Sequence, residues 1–306
     1  MKETRLIVNA DDFGMSRGIC DAVLIAHRFG IVTSASMMMN MPATEYAFEA
    51  ASRAPNLGLG IHLNLSAGKP VLPPAQVPSL VDADGSFHAP RVMMRKLWTW
   101  EASAREIERE WRAQIQRMKS RGFHPSHADS HQHTHIYPGA ALAFVRAIRT
   151  EGIACVRASR CTCWPREKNS SRLGGPHAGT VLRRVLVQMY RNTIQRTILR
   201  GFDSPESRVS LLPGERRELE RLGDTWIATL ERLPQGTFEF TCHPGFFETG
   251  FSEADPIHLQ REAELHWLAS PALRRVIERR GIQLINYNDL ARPSASRREA
   301  VEAPVT

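Results

Sequence analysis

An α/β barrel of about seven parallel strands, forming a single domain with a helical insertion, is the fold class the sequence predicts. Three observations predict it. Short apolar or β-branched runs alternate with stretches of helical period, which argues for parallel strands joined by crossover helices. Polar clusters end four of these runs, on the face where such barrels gather their reactive side chains. The length, 306 residues, suits one barrel of this kind.

The first strand is expected at residues 5–10, an apolar run that stops at Asp11-Asp12, with Phe13-Gly14 turning the chain. A helix of 3.6-residue period follows at 18–29. Strand and helix then alternate through 32–40, 43–53 and 57–64, the third strand carrying His62 at its end. Residues 72–90, rich in Pro, Asp and Gly, read as a surface loop. A helix at 102–121 leads to a strand at 126–130, which opens into D-S-H-Q-H-T-H at 129–135. Next come a helix at 139–151 and a strand at 153–158.

Residues 160–212 break the rhythm and read as a basic loop and helix insertion. Within it, at 181–199, Leu182, Val185, Leu186, Met189, Ile194 and Ile198 fall near helical spacing, interleaved with Arg183, Arg184, Arg191, Arg196 and Arg200. Such a helix can pack on the barrel with a solvated basic face, or lie against an anionic membrane. A helix at 213–233, a strand at 238–242 ending in His243-Pro244-Gly245, a helix at 259–280 and a strand at 282–286 complete the barrel, expected over residues 1–292. Residues 293–306 read as a disordered tail.

With 42% hydrophobic and 24% charged residues, a sizeable core is affordable and wholesale disorder is excluded. No uncharged apolar run reaches the ~18–20 residues that span a bilayer, and residues 1–10 enter a strand without a signal-peptide core, so a cytoplasmic protein is expected. Five cysteines without a C-x-x-C pair point to reduced thiols. The net charge of +8 alone would admit nucleic acid, but the 7% aromatic residues do not interleave with the basic ones and no nucleic-acid motif is present. G-x-S-x-G and P-loop patterns are absent too.

Each polar cluster has a plain reading when taken alone. Asp11-Asp12 can cap a helix, His62 can be a hydrogen-bonded core histidine, and His243-Pro244-Gly245 can be only a turn. Four clusters at one end of a parallel barrel are a different matter, because they converge. A carboxylate with imidazoles suits one borderline divalent cation, Zn²⁺ ahead of Mg²⁺, with positions left open for water and substrate. Adjacent Asp11 and Asp12 diverge in extended chain, so one can ligate while the other faces a water. Of His131, His133 and His135, one or two can be ligands. An extended chain puts all three on one face, whereas a helical one pairs His131 with His135.

The motifs N-A-D-D-F-G at 9–14, G-I-V-T-S-A-S at 30–36, G-I-H-L-N at 60–64, D-S-H-Q-H-T-H at 129–135 and C-H-P-G at 242–245 together resemble the YdjC/ChbG family of carbohydrate deacetylases. They run in family order from the first strand nearly to the last. Within the family, P-V-L-P-P-A-Q-V-P-S-L-V-D at 70–82 and the basic segment 181–199 are most similar to the hopanoid-biosynthesis-associated branch known as HpnK. The resemblance implies a distorted (β/α) barrel that removes the acetyl group of an N-acetylated sugar with a metal ion. It assigns Asp12, His62 and His131 as metal ligands, Asp11 as general base and His243 as general acid. Asp129, His133, Arg157 and Arg261 are implied at the substrate or orienting the groups that touch it, with His135 lining the site or standing behind it. The branch further implies an N-acetylglucosamine substrate joined to a membrane lipid. A soluble chitooligosaccharide substrate, or a metal-stabilised binding protein without turnover, fits the same residues.

Overall fold

The computed structural model describes residues 3–161, 189–209, 222–249, 251 and 257–290. The chain runs β1 (Thr4–Phe13), α1 (Arg17–Phe29), β2 (Ser34–Met37), α2 (Thr44–Ser52), β3 (Gly58–Leu63), α3 (Pro90–Trp98), α4 (Ala104–Ser120), β4 (Ala128–Ser130) and α5 (Pro138–Thr150). It continues with β5 (Ser207–Val209), α6 (Leu222–Glu231), β6 (Gly236–Cys242), α7 (His258–Leu268), α8 (Pro271–Arg280) and β7 (Gln283–Ile285). All pairings are parallel, in the order β4-β3-β2-β1-β6-β5. β7 takes the first half of β1, at Arg5–Ile7, and β2 takes the second, from Asn9 onward.

β1 is the axis of the sheet, buried on both faces from Leu6 to Phe13, and this is why it reads as a continuous apolar run rather than an alternation. α1 starts where the Ser16 hydroxyl accepts the Ile19 N–H, so Ser16 and not the Asp pair caps it. Its buried face, Ile19, Cys20, Val23 and Ala26, repeats at helical spacing against the sheet. The helix expected at 259–280 is two helices, because Pro271 cannot continue α7 and opens α8.

The sheet edges β4 and β5 meet through the chain between them. Isolated parallel bridges join Ala128 to Val156, Cys155 to Asp203 and Cys161 to Arg208, closing the sheet into a distorted barrel. The strand expected at 153–158 is therefore only a set of bridges. Its residues serve β4 on one side and the β5 chain on the other, so no run of consecutive partners forms. β5 itself falls inside the expected insertion, since Ser-Arg-Val offers no apolar run and gains its pairing from β6. The helix at 181–199 is described only from residue 189, and it packs on the barrel: Ile194 is buried and the Ser159 hydroxyl donates to the Arg191 carbonyl. Residues 162–188 of the insertion, the start of the helix expected at 213, and the tail 293–306 lie outside the described residues.

Residues 72–90 are less of a surface loop than the composition suggests. Val77, Leu80 and Phe87 are buried, and the Glu110 carboxylate accepts the backbone N–H groups of Val71 and Leu72 at 2.9 and 3.0 Å. Among the described residues, no helix is long and apolar enough to cross a membrane.

Candidate active site

Because every strand is parallel, the ends of β1, β3, β4 and β6 open on one face. The Asp pair sits in an irregularity of β1, where the register with β2 slips between Ala10 and Phe13. Asp12 adopts a left-handed backbone, φ 64°, at a cost of roughly 1–2 kcal/mol for an L-residue. Together the slip and the positive φ turn two neighbouring carboxylates toward one pocket while both stay buried, at 3% and 2% exposure. Strain of this kind persists where the surrounding structure over-determines it.

Asp12 meets two imidazoles. Its Oδ1 lies 2.9 Å from His131 Nδ1 and 3.4 Å from His62 Nε2, and the three donor atoms are mutually within 4.8 Å. His131 reaches inward because the chain after β4 neither extends nor forms a regular helix. It makes a short 3₁₀ segment, His131–Ile136, in which Gln132 and His133 are left-handed, φ 54° and 55°. That kink separates the three histidines. His131 turns to Asp12, His133 to Arg208, and His135 to the Ser130 hydroxyl at 2.6 Å with its ring stacked on Phe144.

Behind the trio lies a buried charge lattice. Asp129 Oδ1 is 2.7 Å from His62 Nδ1, which fixes the tautomer that aims Nε2 at Asp12. Asp129 Oδ2 accepts from the Ser36 hydroxyl at 2.8 Å, and Ser36 in turn accepts from Asn9. Arg157 grips both oxygens of Asp11, NH1 to Oδ2 at 2.8 Å and NH2 to Oδ1 at 2.5 Å. It also reaches Asp129 at 2.6 Å and Glu239 at 2.8 Å. Asp129 and Arg157 are at most 1% exposed, so they touch the pocket through His62 and Asp11.

The fourth strand end supplies His243, a quarter exposed, between two carboxylates: Nε2 is 3.8 Å from Asp11 Oδ2 and Nδ1 is 3.9 Å from Glu264 Oε2. Arg261 donates to Asp12 Oδ2 at 2.7 Å from α7. To do so it crosses Gly245, where any Cβ would stand 2.9 Å from its Cδ, so the glycine of C-H-P-G is a clearance for this arginine. Gly60 is a clearance of the same kind, since a Cβ there would enter the His127 ring at 2.2 Å.

Across the chain, a family model for YdjC-like proteins matches residues 5–279. The chain belongs to the YdjC family. Among its relatives is a Geobacillus stearothermophilus carbohydrate deacetylase, 33% identical over 92% of this chain and 96% of that protein. A mouse protein of the same name is 30% identical over 94% of each. A shorter alignment reaches 46% identity with a Halalkalibacterium halodurans carbohydrate deacetylase, over 44% of this chain and 55% of that one. A crystal structure from Enterococcus faecalis, whose description proposes cellobiose-phosphate cleavage, superposes with a TM-score of 0.72 at 28% identity, covering 95% of this chain and all of that one.

Electrostatics show which donors of this YdjC chain suit a cation. Burial pushes the Asp12 carboxyl up, but Arg261 and His131 outweigh it and hold it well below the usual carboxylate range. Burial likewise disfavours charge on His62, yet Asp129 and Asp11 raise the imidazole to about 10. The pocket thus stabilises positive charge where Asp12, His62 and His131 converge. One carboxylate and two imidazoles fit a borderline divalent ion. A second cluster, Asp11, His62 and Asp129, has donors equally close, but Arg157 already occupies its carboxylates.

Sequence reading passed over Ser36, His127, Arg208, Glu239 and Glu264. Glu264 had a legible signal, three positions after Arg261 on one helix face. Arg208 and Glu239 had none, because a single charge in a short strand reads as an outward side chain.

Proposed function

We propose that the chain removes the acetyl group of an N-acetylglucosamine-type sugar by metal-assisted hydrolysis, releasing acetate and the free amine. The observation that carries this reading is Asp11 beside the Asp12–His62–His131 trio, a base next to a set of cation donors, with His243 3.8 Å beyond it. The relatives named carbohydrate deacetylases support the substrate class.

A divalent cation held by Asp12, His62 and His131, Zn²⁺ favoured by two imidazoles and Mg²⁺ the alternative, would polarise the acetamide carbonyl as a Lewis acid and acidify the attacking water. The chain's own residues do the rest. Asp11 Oδ2 takes the proton of the attacking water, while Arg157 keeps both Asp11 oxygens from turning away. His243 delivers a proton to the departing nitrogen, an amine being a poor leaving group until protonated. Glu264 lies 3.9 Å from the other ring nitrogen and accepts the His243 backbone N–H, so a negative charge stands behind the imidazolium that makes that transfer. Arg261 and Asp129 position Asp12 and His62, and His133 lines the arginine side of the pocket.

The substrate's sugar is joined to a membrane lipid in this reading, as the likeness of residues 70–82 and 181–199 to the hopanoid-associated branch supports, and the arginines of 181–199 bring the enzyme to anionic lipid. The deciding assay compares acetate release from lipid-linked and soluble N-acetylglucosamine substrates, with and without chelator. Chelator-sensitive release favouring the lipid-linked substrate is expected, and preference for chitooligosaccharides would replace the lipid-linked half of the proposal. Equal sedimentation with neutral and anionic vesicles, unchanged by charge reversal at Arg183, Arg184 and Arg191, would remove the docking half.

A further inference from the structure

Arg208 has no part in the reaction above, yet it is only 5% exposed. One terminal nitrogen meets the His133 ring, and its Nε has no hydrogen-bond partner. In register it stands opposite Glu239 of β6. Arg157 holds Oε1 of that carboxylate at 2.8 Å, and Oε2 makes no hydrogen bond, so Glu239 acts on Arg208 only at a distance. No ion pair joins Arg208 to a carboxylate among the described residues. Burying a guanidinium without a directly bonded counter-ion is costly, and a carboxylate or phosphate hydrogen-bonded to it offsets that cost.

Its surroundings are cationic too. Arg208 lines a gap with His133, Arg157, Ser159 and Arg191. The gap measures about 10 Å³, the room of one water, so a ligand has to enter where Arg208 now leans on His133.

We propose that Arg208 is the anchor of an oxyanion site beside the reacting centre, taking a carboxylate or phosphate group between Arg208 and Arg191 as Arg208 leaves His133. The idle Nε–H and a terminal N–H on the same edge make the parallel fork that such an oxyanion accepts in two hydrogen bonds. Only the source of the anion rests on the deacetylase reading: it is either the acetate released or an anionic substituent on the sugar.

Thermal unfolding of the full chain tests the site without turnover. Acetate and inorganic phosphate are titrated separately at constant ionic strength against chloride, with and without chelator. At least one should raise Tm saturably where chloride does not, whether or not chelator is present. Arg208→Met should abolish the rise, and Arg208→Lys, which keeps the charge but loses the fork, should weaken the apparent affinity about tenfold. Arg208→Lys decides if the methionine variant does not fold. Stronger binding of acetate identifies a product site, and stronger binding of phosphate a substrate substituent. No rise above chloride, a rise that chelator removes, or equal affinity in wild type and Arg208→Lys overturns the proposal. Acetate release from a sugar, measured in parallel, can fail alone and bears only on the deacetylase reading.

Discussion

Two halves of the barrel top are electrostatically opposite. On the β1–β4 side, His62 lies among Asp11, Asp12 and Asp129 and is raised to about 10. On the β5 side, His135 is pushed down to about 3 by burial, which with Arg157 and Arg208 outweighs the pull of Asp129, and His133 falls well below its usual value through burial, Arg208 and Arg157. Residues of one seven-residue motif supply groups to both halves. Burial alone would have lowered every one of these imidazoles, so the partner decides the sign. A run of histidines is therefore not a metal site by composition; carboxylates facing His62 and His131 are what make that corner able to hold a cation.

The largest effect should follow from removing a member of the acidic half. Asp12→Ala or His131→Ala is expected to abolish acetate release together with bound metal, while circular dichroism stays near wild type. Asp11→Asn should keep the metal and lower kcat by about 10²–10⁴-fold, the usual worth of a positioned base. An unchanged kcat would take Asp11 out of the chemistry. Asp129→Asn leaves every proposed ligand in place but frees the His62 ring, so metal affinity measured by competition with a chelating dye should fall about 10–100-fold.

The smallest and most diagnostic effect is on stability against pH. His127 and His135, both near 3 in the fold, stay neutral there but take up protons on unfolding below their ordinary value of 6.5. The unfolded chain then binds more protons, so stability falls as pH drops from about 6.5 toward 3. Asp12 and Asp129, held low, add a loss as pH falls below the ordinary 3.8. His62 has the opposite sign. In cation-free protein its contribution is full below 6.5 and is lost as pH rises toward 10. Chemical denaturation of chelator-treated protein should show both limbs. His62→Gln should flatten the alkaline one and shrink the carboxylate part of the acid one, keeping the part that burial of His127 and His135 supplies.

Much of this was legible in the sequence, and the reasons differ by region. Strand ends carrying Asp12, His62, His131 and His243 were visible because parallel topology turns distant strand ends into neighbours. The β1 slip that turns Asp11 and Asp12 into one pocket was not, since extended geometry sends neighbouring side chains apart. Nor was the fate of His133 and His135, which depends on two left-handed residues with no glycine to announce them. α3 escaped notice because it begins at Pro90, the last residue of a stretch whose composition says loop. β5 and the bridged closure around Val156 depend on their neighbours' pairing and leave no periodic trace.

Elemental analysis of the purified chain, paired with acetate release before and after chelation, bears on the central claim most directly. The account predicts one divalent ion per chain, none in Asp12→Ala, and activity that disappears with the ion and returns when it is restored. Full acetate release from protein stripped of metal would contradict it.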